Sequence, residues 1–451
     1  MGTRMKSKLA KVLHRAGGKT LVEHVTDQAL QLAAPESIAV VVGHQGDAVR
    51  QTLASRGVRF AEQREQKGTG HAMLMCRPVL EKAGEFLLVL YGDVPLLKMA
   101  TLEHLIERQA NSNAAATVLT CNLADPTGYG RIVRNDEDNI AAIVEQKAAS
   151  AEQRAIHEIN SGIYCFRTDL LWNNLATIKP NPASGEYYLT DMVELLNRQG
   201  HTVAALLLED ETELLGINTK AELAVADRVL RERKAMELML SGVTIEKPET
   251  VTIDTDVRIG QDTLIEAFAQ VLGKTVIGAD CRVGACSIVR DSKLLDGAIV
   301  EAFSHVVDSQ LDVGAKVGPY ARLRMNAHLG EGAVVGNFVE LKKTTLGKGA
   351  KAQHLAYLGD ATIGAKANIG AGTITCNYDG INKNETHIGD GAFIGSNSTL
   401  VAPLEIGEGS YTAAGSVITK NVGPDTLAIG RAHQTEKQGW PSHRRKTLVK
   451  K

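Results

Sequence analysis

Residues 253–289, IDTDVRIGQDTLIEAFAQVLGKTVIGADCRVGACSIV, decide the fold of the second half of the chain. An aliphatic residue returns at every sixth position and is often followed by glycine. The series comprises Ile253, Ile259, Ile265, Val271, Ile277, Val283, Val289 and Leu295. One aliphatic residue in six is typical of a hexapeptide β-helix, in which each unit forms one face of a triangular coil and the aliphatic side chain fills the interior. We therefore predict a parallel β-helix.

The repeat continues through aliphatic–glycine pairs as far as Ile406-Gly407 and is interrupted at 341–360 and 373–390. Insertions in such solenoids project as loops and often form the binding face. Polar residues suited to catalysis lie within these interruptions, namely His354, Tyr357, Asn377, Tyr378 and Lys383. We predict a functional site there.

The first half alternates apolar runs with helical patterns. The runs at 37–43, 86–96, 115–121 and 203–209 are predicted strands, and 101–110 is a predicted helix. This alternation predicts a Rossmann-like, mostly parallel α/β sheet, in which ligands bind beyond the carboxyl ends of the strands. We expect an α/β domain over 1–218, a linker helix over 219–243 that stops at Gly242, and a β-helix domain over 244–451.

The composition narrows the classes of function. A length of 451 residues predicts two or three domains. The net charge of −2 gives no attraction to nucleic acid or acidic membranes, and no apolar run approaches the about 20 residues of a membrane span. The six cysteines form no C-x-x-C pair, which argues against zinc and redox motifs. With no secretory segment evident, we expect a cytoplasmic protein with free thiols.

Residues suited to phosphate chemistry are scattered through the first half. Asp93 follows an apolar strand, where a carboxylate could hold Mg²⁺ against phosphates or simply serve as a turn residue. Gly68-Thr69-Gly70 would let backbone N–H groups approach a base or sugar, and Arg4 and Lys11 offer positive charge. These residue types suit nucleotidyl transfer, but their spacing does not show whether they converge.

Motifs along nearly the whole chain carry a resemblance to a known family. They are GTRM with Lys11, AEQREQKGTGHA, YGDVPL, PTGYGRIV, IVEQKAA, EINSGIY, GEYYLTD and GINTKAEL in the first half, then ARLRMNAHLG, GNFVELKK, HLAYLGDATIGAKANIGAGTITCNYDGINK, FIGSNS and AAGSVITKNV. In this order they resemble the bifunctional N-acetylglucosamine-1-phosphate uridyltransferase/glucosamine-1-phosphate acetyltransferase family.

The resemblance implies roles in the first half. Uridylyl transfer from UTP to N-acetylglucosamine-1-phosphate would use Asp93 and Asn218 to hold Mg²⁺. The implied nucleotide and sugar contacts are Arg4 and Lys11 to phosphates, Gln63, Gly68 and Thr69 to uracil, and Gly130, Glu145 and Asn160 to the N-acetylglucosamine, with Asn218 beside them.

For the second half, the resemblance implies a left-handed β-helix that transfers acetyl from acetyl-CoA to glucosamine-1-phosphate. His354 would be the base, since imidazole titrates near neutrality. The implied sugar-phosphate contacts are Arg324, Lys342, Tyr357, Asn368 and Lys383, and the implied acetyl-CoA contacts are Ala371, Asn377, Tyr378, Ser396, Ala414 and Arg431. Family members are homotrimers with this site between subunits.

The N-terminus departs from the family pattern. Similar proteins begin with an apolar strand and a Leu-Ala-Ala-Gly-x-Gly loop, of which only Gly2 remains before Thr3-Arg4. We therefore expect the first strand to be missing. Two alternatives stay open, an acetyltransferase with an incomplete first domain and a non-catalytic trimeric scaffold. A zinc hydratase would need three convergent histidines, and His328, His354 and His387 are unevenly spaced.

Overall fold

The computed structural model describes residues 5–80, 84–182 and 185–448, with side chains to residue 445. Arg4, one of the expected phosphate contacts, lies outside the described residues. The chain divides into two compact units, 1–231 and 232–451. The division falls within one long helix.

The first unit alternates helices and strands, and the last helix of the chain follows the β-helix. The helices are α1 (Leu21–Leu32), α2 (Gly46–Leu53), α3 (Thr69–Leu80), α4 (Met99–Asn111), α5 (Ala151–Arg154), α6 (Thr168–Asn174), α7 (Asp191–Arg198), α8 (Lys220–Leu240) and α9 (Trp440–Leu448). Single 3₁₀ turns span Lys11–Leu13, Pro35–Ser37, Ala54–Arg56, Leu175–Thr177, Glu211–Leu214 and Pro248–Thr250. The strands of the first unit are β1 (Arg15–Ala16), β2 (Lys19–Thr20), β3 (Ala39–Val42), β4 (Arg59–Glu62), β5 (Phe86–Val89), β6 (Ala116–Asn122), β7 (Arg131–Arg134), β8 (Ile140–Val144), β9 (Glu158–Arg167) and β10 (Val203–Leu208).

The main sheet of the first unit is mixed. Its described strands run in the order β10-β6-β9-β7-β8, and β5 also pairs with β9. Among these described strands only β10 and β6 pair in parallel, because β9 runs antiparallel to β5, β6 and β7, and β8 runs antiparallel to β7. A separate parallel pair joins β3 and β4. The prediction of a mostly parallel sheet is therefore wrong for the described strands, since it did not include a strand at 158–167.

Local signals in the sequence explain where α1 begins and where α8 ends. The Thr20 hydroxyl accepts from the Glu23 N–H while the Glu23 carboxylate accepts from the Thr20 N–H, a capping box that starts α1. The predicted long helix is present as α8, and Gly242 follows it at φ +97°. In α8, Ala226 and Leu230 pack in the first unit's core, and Ala235 and Leu238 pack in that of the second unit.

The second unit is a parallel β-helix. Its strands are Thr244–Ile245, Thr252–Ile253, Arg258–Ile259, Leu264–Ile265, Gln270–Leu272, Val276–Ile277, Arg282–Val283, Ile288–Arg290, Lys293–Leu294, Ile299–Val300, His305–Val307, Ser309–Leu311, Lys316–Val317, Arg322–Arg324, Ala327–Leu329, Val334–Asn337, Glu340–Leu346, Lys351–His354, Tyr357–Ile363, Asn368–Ile369, Ile374–Cys376, Thr386–Ile388, Phe393–Ile394, Thr399–Val401, Leu404–Ile406, Tyr411–Thr412, Val417–Ile418 and Leu427–Ala428. All their pairings are parallel and join successive coils, as in Ile253↔Val271 and Ile259↔Ile277. The predicted interior residues from Ile253 to Val289 are buried inside the coil.

The coil length varies, and this corrects two predictions. Ile277 pairs with Leu294, which is buried, and so Leu295 is not the interior residue that a strict six-residue count predicted. The expected interruption at 341–360 is also wrong, because Leu341 pairs with Leu358 without an insertion. At 373–390 extra residues do interrupt the coil, since Ile363 pairs with Ile388.

The aliphatic–glycine pairs reflect how closely successive coils approach. A Cβ at Gly370 would lie 2.5 Å from the carbonyl oxygen of Ile394 on the next coil. Real Cβ atoms do not come this close to backbone, so any larger residue would force the coils apart. Glycine after the interior aliphatic residue is thus a packing requirement of the stacked coils.

Candidate functional site

Lys11, Asp93 and Asn218 meet in the first unit although they are far apart in sequence. The Lys11 ammonium donates to the Asp93 carboxylate, and it lies 3.1 Å from Asn218 Oδ1. The Ile217 N–H donates to the Asp93 carbonyl at 3.0 Å and holds the two loops together. One oxygen of the Asp93 carboxylate and the amide oxygen of Asn218 thus both contact the Lys11 ammonium.

Gln63, Gly68 and Thr69 form a second cluster at the start of α3. Gln63 Nε2 donates to the Gly68 carbonyl at 3.0 Å, and the Thr69 hydroxyl accepts from the Leu189 N–H at 3.0 Å. Gly68 has φ +95°, and a Cβ there would lie 2.6 Å from the Tyr187 carbonyl oxygen. The Tyr187 N–H donates to the Lys67 carbonyl at 2.8 Å, so the loop is fixed against the segment around Tyr187.

Gly130, Glu145 and Asn160 form a third cluster. The Asn160 N–H donates to the Gly130 carbonyl at 2.9 Å, and a Cβ at Gly130 would lie 3.7 Å from Glu145 Oε1. Burial raises the pKa of the Glu145 carboxyl, and the negative charge of Asp191 raises this pKa further. The cluster combines backbone, carboxyl and amide groups of the kind that recognise sugar hydroxyls and amides.

Two contacts connect the three clusters. The segment that contacts the second cluster continues to Thr190, whose hydroxyl lies 3.5 Å from Glu145 Oε1 in the third. Burial raises the pKa of Tyr91 to about 12, and the nearby charges of Asp93 and Glu145 also raise it. Tyr91 stands two residues before Asp93, and its ring lies against Gly162, whose N–H donates to Asn160 Oδ1 at 3.0 Å. Tyr91 is therefore near both the first and the third clusters.

His354 is paired with Asn337 across adjacent coils of the second unit. Its Nδ1 lies 2.7 Å from Asn337 Oδ1, and the two residues are register partners in neighbouring strands. With the amide oxygen as acceptor, Nδ1 carries the imidazole proton. The lone pair on Nε2 is then available to accept a proton from a substrate.

A cluster of cations surrounds Lys342, whose register partner Gly359 lies five residues after His354. Lys342 is a register neighbour of Arg324, and its buried ammonium lies 2.7 Å from the buried Asp360 carboxylate, which also accepts from the Asn377 amide. The hydrogen bond to Asp360 raises the pKa of Lys342. Interaction with Lys342 lowers the pKa of Lys383, and the charge of Arg324 also lowers it. Asp360 thus pairs with Lys342 and, at 3.7 Å, with Lys343, while Arg324 pairs with Glu340 at 2.7 Å.

The other predicted sugar-phosphate contacts lie around this cluster to different extents. The Tyr357 hydroxyl lies close to Gly359, the register partner of Lys342. Asn368 is the register partner of Lys351, in the strand that ends at His354. Neither has a described side-chain hydrogen bond to the cations in the structure.

The expected acetyl-CoA contacts fall mainly on one column of successive coils. The Asn397 N–H donates to the Ala371 carbonyl, and the Gly415 N–H donates to the Ser396 carbonyl, at 2.7 and 2.8 Å. The backbone of Ala414 and the side chain of Arg431 lie beside this column. Tyr378 does not join it, because its hydroxyl donates to the Gly380 carbonyl within its own loop at 2.6 Å.

The described residues contain neither a membrane-spanning helix nor a cluster of metal-ligating side chains. No described helix is both long and apolar enough to cross a bilayer. Within the same part of the chain, no three His, Cys, Asp or Glu side chains gather as a metal site would require.

Asp360→Asn provides a test of stability in the cation cluster. The variant removes the counter-ion of buried Lys342, and we expect the free energy of unfolding to fall by about 3 kcal/mol. Burial alone would raise the pKa of Asp360, but hydrogen bonds from Lys342 and Asn377 hold that pKa below its ordinary value. The stabilisation is therefore present above about pH 4 and is lost as the pH falls through the depressed pKa.

Urea denaturation at pH 7 and at pH 3 measures this difference. The matched control is Glu331→Gln, which breaks the exposed ion pair with Lys348 and should cost at most about 0.5 kcal/mol. Equal losses for the two variants at pH 7 would contradict the importance of the buried pair.

Comparisons with known proteins place the chain in a family. Residues 1–158 match the MobA-like NTP transferase domain, and residues 256–291 and 385–420 match the bacterial transferase hexapeptide model. The chain is 58% identical over 446 residues to "Bifunctional protein GlmU" of Solibacter usitatus, covering 99% of this chain and 96% of that protein. The namesake proteins of Koribacter versatilis and Exiguobacterium sp. are 48% and 47% identical, over 100% and 97% of this chain and 96% and 97% of theirs.

The chain belongs to the GlmU family. The predicted family membership is confirmed. The prediction of a bifunctional enzyme with a uridyltransferase and an acetyltransferase domain is confirmed with it. A solved CMP:2-keto-3-deoxy-manno-octonic acid synthetase complexed with CTP matches with a TM-score of 0.39 and 17% identity, over 51% of this chain and 95% of that one.

Several polar residues in these GlmU-family clusters were missed by sequence reasoning. They are His71 beside Gln63, Tyr91 between the first and third clusters, Asn337 beside His354, and Asp360 beneath Lys342. Asn337 and Asp360 lie within the quoted GNFVELKK and HLAYLGD motifs, so the motifs themselves were the available signal. Their contacts depend on which residues stack on successive coils.

Proposed function

We propose that this chain makes UDP-N-acetylglucosamine in two steps. The second unit acetylates glucosamine-1-phosphate with acetyl-CoA, and the first unit then transfers UMP from UTP to the N-acetylglucosamine-1-phosphate and releases pyrophosphate. The observation that carries the proposal is that the first unit brings Lys11, Asp93 and Asn218 together. The second unit carries a histidine oriented by Asn337 and a cluster of cations around Lys342.

His354 acts as the base of acetyl transfer. The sugar amine must lose a proton as it attacks the thioester carbonyl, because an ammonium has no lone pair. Asn337 holds the proton on Nδ1 and leaves Nε2 to accept the amine proton. The tetrahedral intermediate then collapses with loss of the coenzyme A thiolate, which takes up a proton.

The cations around Lys342 hold the sugar phosphate. Lys342 is already neutralised in part by Asp360, whereas proximity to Lys342 lowers the pKa of Lys383. Arg324, Lys342 and Lys383 repel one another, and the negative oxygens of a phosphate dianion bound between them would offset this repulsion. Tyr357 and Asn368 border the sugar in this arrangement.

Asp93 and Asn218 suit Mg²⁺ in the first unit. Mg²⁺ is usually bound by one or two protein oxygens together with phosphate oxygens and water, and here both oxygens converge on the Lys11 ammonium. When bound, the metal would neutralise charge on the triphosphate. Lys11 contributes a second positive charge at the phosphates, and Gly130, Glu145 and Asn160 orient the sugar phosphate for attack on the α-phosphate.

Gly68→Ala tests the nucleotide loop. Gly68 has φ +95°, and the new Cβ would lie 2.6 Å from the Tyr187 carbonyl oxygen, so the loop must move. Backbone hydrogen bonds join Lys67 and Gly70 to Tyr187 on either side of Gly68, and this movement strains them. We expect kcat/KM for UTP to fall about 100-fold, since displacement of about 1 Å costs this much. Pyrophosphate release measures it. Gly84→Ala is the control, since nothing lies within 4 Å of its added Cβ, and a similar loss in both variants would contradict the special role of Gly68.

We also propose a homotrimer in the cytoplasm. A stack of half-exposed rings, Phe303, Tyr320 and Phe338, runs along the outside of the β-helix with centroids 5.1 and 5.5 Å apart and leads toward His354. Apolar surface of this kind supports burial against another subunit. All six cysteines are free, which fits a reducing compartment.

The two half-reactions can be assayed separately on one preparation. Release of coenzyme A from acetyl-CoA should require glucosamine-1-phosphate, and release of pyrophosphate from UTP should require N-acetylglucosamine-1-phosphate and Mg²⁺. Coenzyme A release without any pyrophosphate release would favour an acetyltransferase with an incomplete first unit. Binding of substrates without turnover in both assays would favour a scaffold.

A further inference from the structure

The orientation of the Gln63 amide is fixed by two neighbours. Its Nε2 atom lies 3.0 Å from the Gly68 carbonyl oxygen and 3.0 Å from His71 Nδ1. A carbonyl oxygen can only accept a hydrogen bond, so the amide atom facing it must be the NH₂ group. The second amide hydrogen then points to His71. Nδ1 of His71 must accept it, and the ring proton is therefore on Nε2.

This arrangement leaves one polar atom of Gln63 for a ligand. Both amide hydrogens are used, and Oε1 accepts no hydrogen bond from the part of the chain that the structure describes. The free atom is a pure acceptor. A uracil ring presents an N3–H donor, whereas a cytosine ring presents an unprotonated N3 acceptor at the same position. The Gln63 Oε1 acceptor therefore binds the N3–H of uracil and repels the N3 lone pair of cytosine.

His71 is itself held firmly. It lies in the first turn of α3, where the neighbouring Gly70 N–H donates to the Tyr187 carbonyl at 2.8 Å. Its ring centroid lies 6.5 Å from that of Tyr187. The anchored backbone and the neighbouring Tyr187 ring thus restrict the positions that the imidazole can take beside Gln63.

We propose that His71 is a positioning residue that sets the base specificity of the nucleotide site. It holds the Gln63 amide so that the oxygen meets a base with an N3–H, and so favours UTP over CTP. The proposal rests on the proposed function, in that UTP binds at the Gln63–Thr69 loop. In wild type, turning the NH₂ group toward the base breaks the hydrogen bond to the Gly68 carbonyl and also requires the His71 ring proton to move from Nε2 to Nδ1. With His71 gone, only the first cost remains.

The test compares UTP with CTP in the full chain. The ratio of their kcat/KM values for pyrophosphate release is measured for wild type, His71→Phe and His71→Asn, and the ratio of their affinities is measured by calorimetry on the same samples. Phe keeps the ring beside Tyr187 but has no acceptor, while Asn supplies an acceptor oxygen near the position of Nδ1. The matched control is His104→Phe, an exposed position on α4.

We expect His71→Phe to lower the UTP/CTP ratio about five- to ten-fold and His71→Asn to restore it to within about three-fold of wild type. A ratio that stays within two-fold of wild type in His71→Phe would overturn the proposal, whatever the absolute rates. So would an equal fall in His104→Phe. A merely structural role would weaken both nucleotides alike and leave the ratio unchanged.

Failure of the proposed function gives a different result. If wild type releases no pyrophosphate, the calorimetric ratio decides, and a fall in His71→Phe still supports the role of His71. Wild type that binds UTP no better than CTP overturns it. If His71→Phe does not fold, the His71→Asn ratio is compared with that of His71→Gln, whose longer side chain displaces the acceptor, and equal ratios overturn the proposal.

Discussion

His354→Ala should reduce acetyl transfer by about 10²- to 10⁴-fold, the usual contribution of a positioned general base. Without the imidazole no side chain is held by Asn337 to take the amine proton. The loss should appear in kcat more than in KM for glucosamine-1-phosphate, since Arg324, Lys342 and Lys383 remain. Release of coenzyme A over a range of substrate concentrations measures both constants.

The same preparation contains its own control. Uridylyl transfer by His354→Ala should stay at the wild-type rate, because the residues that carry it lie in the first unit. His305→Ala, an exposed position three coils before Tyr357, should leave acetyl transfer unaffected. Acetyl transfer by His354→Ala within three-fold of wild type would exclude this histidine as the base.

Asp93→Asn should reduce uridylyl transfer by about 10²- to 10³-fold, the size of effect seen when one group that stabilises transition-state charge is removed. The substitution keeps the shape of the side chain but takes away the negative charge that meets the Lys11 ammonium. The affinity of Mg²⁺ should fall with it, so the Mg²⁺ concentration for half-maximal pyrophosphate release should rise. A magnesium titration of the initial rate measures this shift.

Asp47→Asn provides the matched charge change. Asp47 is exposed on α2, and its Oδ1 lies 3.9 Å from Arg50 Nε. Its replacement should leave the rate and the magnesium dependence of uridylyl transfer unaltered. Acetyl transfer should be normal in both variants. A normal magnesium titration for Asp93→Asn would mean that Asp93 does not hold the metal.

The β-helix could be predicted from the sequence because its core is periodic. Each interior position repeats one steric requirement, and Ile253, Ile259 and Ile265 meet it in turn. The limits of the prediction have the same origin. Small interior residues such as Ala352, which stacks on Val335, disguise a regular coil as an interruption. The coil between Ile277 and Leu294 is one residue shorter than three repeats of six, which moves the interior position from Leu295 to Leu294. Both positions hold leucine, so the sequence pattern does not show the change.

The convergence of the site residues could not be predicted from spacing. Lys11, Asp93 and Asn218 come together only because their loops meet where the Ile217 N–H binds the Asp93 carbonyl. The strand directions in the sheet of the first unit cannot be predicted for a related reason. Hydrophobic alternation marks a strand but does not give its direction, and β9 runs against its neighbours. Contacts such as His71 with Gln63 depend on side-chain geometry that no pattern records.

The product of a single incubation tests the central claim most directly. The full chain is given glucosamine-1-phosphate, acetyl-CoA, UTP and Mg²⁺, and the sugar products are identified by mass spectrometry. We predict UDP-N-acetylglucosamine, with one coenzyme A and one pyrophosphate released for each molecule formed. Accumulation of N-acetylglucosamine-1-phosphate with no UDP-sugar would contradict the claim that both units are active.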